Sequence, residues 1–453
     1  MRARSFPEAI AHARMPKSNF NLSPSEHRAG PGMPVEDAHR APSDAAREQA
    51  SSVSAPRAMT ESPAADATSA VMIELHGDLG EIKQEWQAFE RSADCTVFQS
   101  FHWLAKWQQH IGAYNGTIPA IVFGRDGEGR LIFILQLAIE TRGVARRLTW
   151  LGSELCDYNA PLLAAHFSDA VTAERFTDLW HDIVRLIRAD RRLRFDLVDL
   201  QKMPEMVGRQ RNPFLGIKVL ANPSGAYVAT LGSDWDEFYT ARRSSSTRKR
   251  ERRQFKQLAE HGDVRFVDVE DKADIERTLE TLIDQKSRSF ARMGVEDLFA
   301  RPGYRDFYLD IATDHNVSAL THVSRLDVGA TTAATNLGLT FRDCYYLVLS
   351  SYHDGEIARF GPGRAHLHEL LRHAMERGFH KFDFTIGDEP YKRDWSDIVV
   401  QLYDHLEAVT PRGAIVMAMT SAFRRTKRFI KQTPALWRTY SKLRGLAGMF
   451  GRR

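Results

Sequence analysis

Residues 317–386 constrain this chain most. Three strand-like runs, at 317–326, 330–341 and 343–352, are separated only by Asp327-Val328-Gly329 and Arg342-Asp343. Connections that short join antiparallel neighbours. A loop at 354–362, a helical run at 363–377 stopped by Gly378, and a strand at 381–386 follow. A strand–helix–strand passage of that length makes a parallel crossover. The expected fold is therefore an α/β fold of the α+β type, a mixed and mostly antiparallel sheet flanked by helices, and not a doubly wound parallel sheet. Upstream, 226–231 and 264–269 read as strands, the first with Tyr227 outward. A single long helix is expected at 235–260, ending at His261-Gly262, with two more at 274–292 and 303–315.

The preceding residues give a similar series. Strand 71–75 is followed by a helix at 78–91 with Ile82, Trp86 and Phe89 on one face. A second helix at 96–111 carries Phe101, Leu104 and Trp107. Strands at 118–125 and 130–140 surround Asp126-Gly127-Glu128-Gly129, and a helix at 171–190 leads to a strand at 194–200. A duplicated fold is expected, with domains at 71–225 and 226–410. Residues 1–70 are rich in Ala, Ser, Pro and charge without apolar periodicity, and are expected to be disordered.

The net charge of +4 conceals an asymmetry. Residues 411–453 hold 11 Lys or Arg and no acid, so the remainder has 51 basic against 58 acidic residues. The body is thus mildly acidic. In the tail, Phe423, Ile430, Leu436, Trp437, Tyr440, Leu443 and Leu446 interleave with cations, and Pro434 divides it. Peripheral contact with the inner membrane is one reading; packing on the body is the other. No apolar run reaches the ~18 residues that span a bilayer. The N-terminal stretch lacks an apolar signal core and carries Glu8, Glu26, Glu36 and Asp37, so a cytoplasmic protein is expected. Cys95, Cys156 and Cys344 fit no zinc spacing and no disulfide framework, and no metal is expected.

Chemistry concentrates at 345–395. Gly361-Pro362-Gly363 opens a helix: proline is pre-organised there, glycine admits close backbone approach, and the free N–H groups favour an anion. With Arg359, Phe360 and Arg364 this is a pyrophosphate cradle, or else a plain capped helix. His366, His368 and His373 lie off the stripe of Leu367, Leu370, Leu371, Ala374 and Met375 and are expected on the surface, with a catalytic histidine as the alternative. Strand alternation sets Asp383 on the face opposite Phe382 and Phe384, where it serves as a desolvated base or anchors a loop. Gly387, Tyr391, Lys392 and Trp395 form a ligand wall or pack across a turn. Eight Lys or Arg crowd residues 242–256, suited to coenzyme A phosphates, a tRNA, an anionic sugar polymer, or simply solvent. Phe255 is the one aromatic among them, few for single-strand binding.

As a set these residues resemble the acetyltransferase domain of the bacterial CelD-like proteins, a GNAT branch linked to cellulose and exopolysaccharide synthesis. The likeness rests on the basic helix from Arg242 to Lys256 closing at Gly262, on Lys286, and on Gly361-Pro362-Gly363 with Leu367. Gly378, Asp383, Gly387 and Tyr391-Lys392 with Trp395 complete it. In the first domain Phe98-Gln99-Ser100-Phe101, Trp103-Leu104, Trp107, Asp157-Tyr158 and Pro161-Leu162 fit as well. The resemblance implies tandem GNAT-like domains that move an acetyl or other acyl group from acetyl-CoA or another acyl-CoA to an amine or hydroxyl of a small-molecule or saccharide acceptor. It implies Asp383 as base or organiser, Tyr391 or Tyr346 as acid to the thiolate, and Lys392 for charge. Arg359, Phe360, Gly361, Gly363 and Arg364 would hold the donor; Lys286, Asp157, Tyr158 and Trp395 would face the acceptor. The strict Q/R-x-x-G-x-G/A signature is absent, and Arg359-Phe360-Gly361-Pro362-Gly363 is a compressed relative of it. The same series resembles the Fem-type peptidoglycan aminoacyltransferases, paired GNAT-like domains that take an aminoacyl group from tRNA; only then is nucleic acid a partner. A third reading is a non-catalytic accessory protein of polysaccharide synthesis. The first domain, without a Gly-Pro helix start after its meander, reads as the acceptor half.

Overall fold

The computed structural model describes residues 71–314 and 320–432. The disorder expected before residue 71 and the apolar residues expected beyond 432 lie outside them. In the first half, β1 (Met72–His76) leads to α1 (Leu79–Glu90), whose N-cap Asp78 accepts from Gly80 N at 2.7 Å. Where one helix was expected at 96–111, a tight turn at Val97–Gln99 precedes α2 (Phe101–Trp107), capped by Ser100, and a wider turn ends at Gly112. Then come β2 (Ile118–Arg125), β3 (Leu131–Arg142), β4 (Ala145–Trp150), α3 (Ala173–Ala189) and β5 (Leu197–Pro204).

The second half contains β6 (Ala226–Thr230), α4 (Trp235–Arg242), α5 (Ser245–Ala259), β7 (Val264–Val269), α6 (Lys272–Met293) and α7 (Tyr304–Thr313). It continues through β8 (Thr321–Val328), β9 (Thr331–Phe341), β10 (Cys344–Tyr352), α8 (Pro362–Glu376), β11 (Lys381–Ile386), α9 (Pro390–Trp395) and β12 (Ile398–Val400). β13 (Leu402–Ala408) and α10 (Pro411–Gln432) end the described chain. The long helix expected at 235–260 is two. Arg243 is extended between them, and Ser244 caps α5 by accepting from Thr247 N. The break turns Arg243 inward, where it is buried over the Trp395 ring and paired with Glu251 and Asp394. An unbroken helix would leave that charge in solvent. Tyr227, expected outward, is buried under α4 and α9.

The two sheets repeat one plan. In the first, β1-β2-β3-β4 is an antiparallel meander and β4 pairs parallel with β5 across the α3 crossover. In the second, β7-β8-β9-β10 is the meander and β10 pairs parallel with β11 across α8. Each parallel pair is then extended by a strand from outside the repeat. β6 lies against β11, whereas β13 crosses back to pair with β5 over Leu402↔Pro204 to Ala408↔Leu197. The sheets therefore do not follow a boundary at 410, because the last strand before it belongs to the first sheet. α10 packs on the same sheet, where Arg424 reaches the buried Asp199 at 2.7 Å, so the start of the basic tail is docked. Among the described residues no helix is long and apolar enough to cross a membrane.

One hydrophobic cluster crosses both halves, joining Trp86, Trp103 and Trp107 to Leu279, Leu282, Phe307 and Ile311. Burial of each of the Leu, Ile and Phe side chains among them contributes about 1.5–3 kcal/mol. Above it, Lys106 pairs with Asp310 and Asp314, both at 2.9 Å. Gly303, at φ +82°, starts α7 against the other half: a Cβ there would stand 1.9 Å from the His110 carbonyl oxygen. Gly303→Ala should therefore open the seam and cost about 2 kcal/mol or more. Thermal unfolding checks this, and an unchanged midpoint would contradict the contact.

Candidate functional site

The parallel pair β10·β11 is short. Its register runs Cys344↔Lys381, Tyr345↔Phe382, Tyr346↔Asp383 and stops. On the other side of β10 the pairing to β9 slips by one residue at Val348, between Gly338↔Leu347 and Leu337↔Leu349. In β11, Thr385 takes a left-handed φ of +59° and its N–H donates to Asp383 Oδ1 at 2.7 Å. Together these part the two strands beyond Tyr346 and Asp383, and β10 continues to Tyr352 with no strand on that side among the described residues. α8 begins beyond the same end of β10, with Gly361 at φ +70° and Pro362 in its first turn. Ligands of sheets with parallel pairs gather at such carboxyl ends.

The start of α8 is electropositive. Arg364 donates to Gln254 of α5, and its Nε is buried without a hydrogen-bond partner among the described residues. Desolvation holds the Arg364 pKa below its usual value. On α5, Lys249, Arg250, Arg252, Arg253 and Lys256 are exposed, whereas Arg248 is half-buried and donates to the Thr240 and Arg243 carbonyls. Arg359 is exposed beside Glu356, and the Phe360 ring lies 4.8 Å from His261.

The opposite face of β11 meets the first half. Phe382 and Phe384 pack under α8, as alternation requires, while Asp383 points away from them into the seam. There the Tyr158 hydroxyl donates to its carboxylate at 2.8 Å. Asp383 is 5% exposed. Burial pushes its pKa up to about 7, against the lowering effect of the Thr385 N–H and the Tyr158 hydroxyl. Lys286 of α6, 3% exposed, is pushed down to about 8 by desolvation, with Glu389 and Lys392 close enough to act on it in opposite senses. Lys392, fully buried, donates to the Ile386 carbonyl at 3.0 Å and lies 3.4 Å from Glu389. Tyr346 reaches the same seam, with its ring edge-on to Phe98, and burial raises its phenol well above the usual range.

The structure thus brings Asp383, Tyr158 and Tyr346 to one seam, with Asp157 and Lys392 near enough to act on the Asp383 charge and Lys286 near Lys392, and it sets Arg364, Gly361 and Gly363 at the α8 start. It does not join Tyr391 or Trp395 to them. Tyr391 packs against Phe384 on the opposite face of β11. Trp395 is 1% exposed, stacked on Phe238 and Tyr239, so it supports the fold rather than lining a site. The histidines of α8 also depart from expectation. His366 is buried and 3.2 Å from Ser324 Oγ, and burial lowers its pKa to about 3; His373 is half-buried and lowered to about 4. Sequence reasoning overlooked Glu389, although its position three residues before Lys392 was readable. It also overlooked Lys202, whose φ of +59° and buried amine on the Cys156 carbonyl carry no sequence signal.

Residues 245–393 match the family described as Acetyltransferase (GNAT) domain. That stretch of the second half is similar to a GNAT-type acetyltransferase domain. The first half repeats the strand plan of the matched half. FemX superposes with a TM-score of 0.53 at 10% identity, covering 77% of this chain and 100% of its own. A conserved protein of unknown function from Bacteroides thetaiotaomicron gives 0.46 at 11% identity, covering 75% of this chain and 100% of its own. A tandem GNAT protein from the clavulanic acid biosynthesis pathway gives 0.39 at 12% identity, covering 76% and 99%. No curated protein matches the chain by sequence.

The buried carboxyl in the seam makes a stability prediction. Because the Asp383 pKa is raised on folding, the folded state favours its protonated form, a contribution complete below the ordinary carboxylate range and lost as pH rises toward about 7. Relative to Asp383→Asn, the wild type should therefore lose stability between about pH 4 and pH 7. Urea unfolding of both proteins across that range measures it; parallel curves would mean an unperturbed carboxyl.

Proposed function

We propose that this protein transfers an acetyl or other acyl group from an acyl-CoA to an amine or hydroxyl of a small-molecule or saccharide acceptor, in exopolysaccharide or cell-envelope metabolism. The observation that carries the reading is Asp383: a buried carboxyl with a pKa of about 7, at the end of the parallel pair and hydrogen-bonded from the other half. Gly361, Gly363 and Arg364 at the α8 start fit a phosphate-bearing donor, since the buried Arg364 Nε has no partner among the described residues. The thioester supplies the activated acyl carbon. Asp383 takes the proton from the attacking amine or hydroxyl as the new C–N or C–O bond forms and the C–S bond breaks. In this reading Tyr346, level with Asp383 in the parallel pair, returns a proton to the leaving thiolate, and it is preferred to Tyr391 because Tyr391 packs against Phe384. Lys286, its pKa lowered to about 8, still carries its proton at neutral pH and is a second donor to the leaving thiolate.

A tRNA-borne aminoacyl donor is the second reading. The exposed cations of α5 beside the α8 start favour it. Peripheral membrane contact also belongs to the proposal. Ile415, Met419 and Phe423 form an exposed stripe on α10, 65%, 57% and 40% accessible, beside the exposed Arg412 and Arg425.

Calorimetric titration of the full chain with acetyl-CoA tests the donor: micromolar binding is expected, and loss of it in Gly363→Glu. Asp383→Asn should retain donor affinity while turnover of a responsive acceptor falls about 10²–10⁴-fold. Absence of acetyl-CoA binding together with co-purified tRNA would transfer the reading to the second donor.

A further inference from the structure

Away from the seam, the fold gathers three side chains that are far apart in sequence. Asp268 comes from β7, His322 from β8 and His373 from the C-terminal half of α8. One carboxylate oxygen and one ring nitrogen from each imidazole lie within 4.8 Å of one another. His322 Nε2 is 3.2 Å from Asp268 Oδ1, and His373 Nε2 is 3.8 Å from Asp268 Oδ2. The two imidazoles are stacked, 4.6 Å between centroids at 13°.

The surrounding hydrogen bonds decide which nitrogen of His322 is bare. Its Nδ1 is 2.7 Å from the Tyr345 hydroxyl, which is 2.7 Å from the Asn336 amide. The Asn336 amide is satisfied when its nitrogen donates to the Leu349 carbonyl at 3.1 Å and its oxygen accepts from Gly338 N at 3.1 Å and from Tyr345. Tyr345 then spends its only proton on Asn336, so its oxygen accepts from His322 Nδ1–H. A neutral imidazole protonated on Nδ1 has a lone pair on Nε2. That Nε2 is buried without a hydrogen-bond partner among the described residues, and a carboxylate oxygen stands beside it. Two acceptors at that distance repel unless a positive charge lies between them.

We propose that Asp268, His322 and His373 form a binding site for a divalent transition metal of the zinc class, its fourth position open to solvent. With metal–ligand bonds of about 2.0–2.1 Å, tetrahedral neighbours are about 3.3 Å apart, so ligand atoms spread over as much as 4.8 Å need closure by up to about 1.5 Å and a turn of one stacked imidazole toward the ion. The bond from Tyr345 to the remote nitrogen of His322 is the kind that orients a metal-binding imidazole. The three ligands reside on three elements, so no spacing in the sequence announces them. The ion would clip α8 to β7 and β8 at the end of the helix remote from the donor cradle. The competing occupant is a second proton on His322, giving an imidazolium–carboxylate pair.

Full-length protein, freed of metal with a chelator, is titrated with Zn²⁺ by calorimetry and with Co²⁺ by visible absorption. One equivalent of Zn²⁺ and intense tetrahedral Co²⁺ bands are expected. His373→Ala and Asp268→Asn should each weaken Zn²⁺ binding about tenfold or more, and Tyr345→Phe by about 10–100-fold. Circular dichroism confirms that each variant folds, and the wild-type Co²⁺ spectrum requires no variant. Absent Co²⁺ bands, or Zn²⁺ affinity unchanged in both His373→Ala and Asp268→Asn, overturns the site. A doubly protonated His322 at pH 7.5 that persists with Zn²⁺ present, read by ¹⁵N NMR, does the same.

Discussion

A carboxyl group can be buried between two halves of a protein only if its oxygens are answered, and Asp383 imposes that condition here. One answer is local: the left-handed turn at Thr385 brings its own N–H onto Asp383. The same turn ends the parallel pairing of β10 with β11 and so opens the wedge beside the α8 start. The other answer comes from Tyr158, 225 residues away in the first half. A phenol that must meet a carboxylate at hydrogen-bond distance fixes how the halves dock. The desolvation that results raises the Asp383 pKa. Site chemistry and domain register are therefore one constraint.

The mixed sheet could be read from residues 317–386 because hairpin turns and a crossover leave few topologies. The orientation of Asp383 could be read because strand alternation has a period of two. What resisted reading were the places where tertiary contacts override local pattern. Arg243 breaks an otherwise helical run to reach Glu251 and Asp394. His366 lies outside the leucine stripe of α8 yet is buried, since Ser324 on the facing strand offers it a hydrogen bond. Trp395 and Tyr391 sit in a segment of ligand-binding appearance, but α4 and the Phe384 ring claim them for packing. The destination of β13 was invisible, because nothing in Leu402–Ala408 names its partner.

α8 is the element on which these features converge. Its first turn forms one wall of the wedge, and its buried stripe of Leu367, Leu370, Leu371 and Ala374 fastens it to the second sheet. Its later turns bring His373 over Asp268 and His322. A rigid helix held along its whole length presents its N–H groups at a fixed height above β10, which positioning of a donor requires.

The return of β13 to the first sheet has a consequence for how the chain is made. On the ribosome the first half emerges first, but β5 then has β4 on one side and an open edge on the other. An open edge invites pairing with other chains. That edge stays uncovered until some two hundred further residues, containing the entire second half, have been synthesised and Leu402–Ala408 can return to it. The half that begins folding first is thus the half that finishes last, and the second half must close while its neighbour is still incomplete.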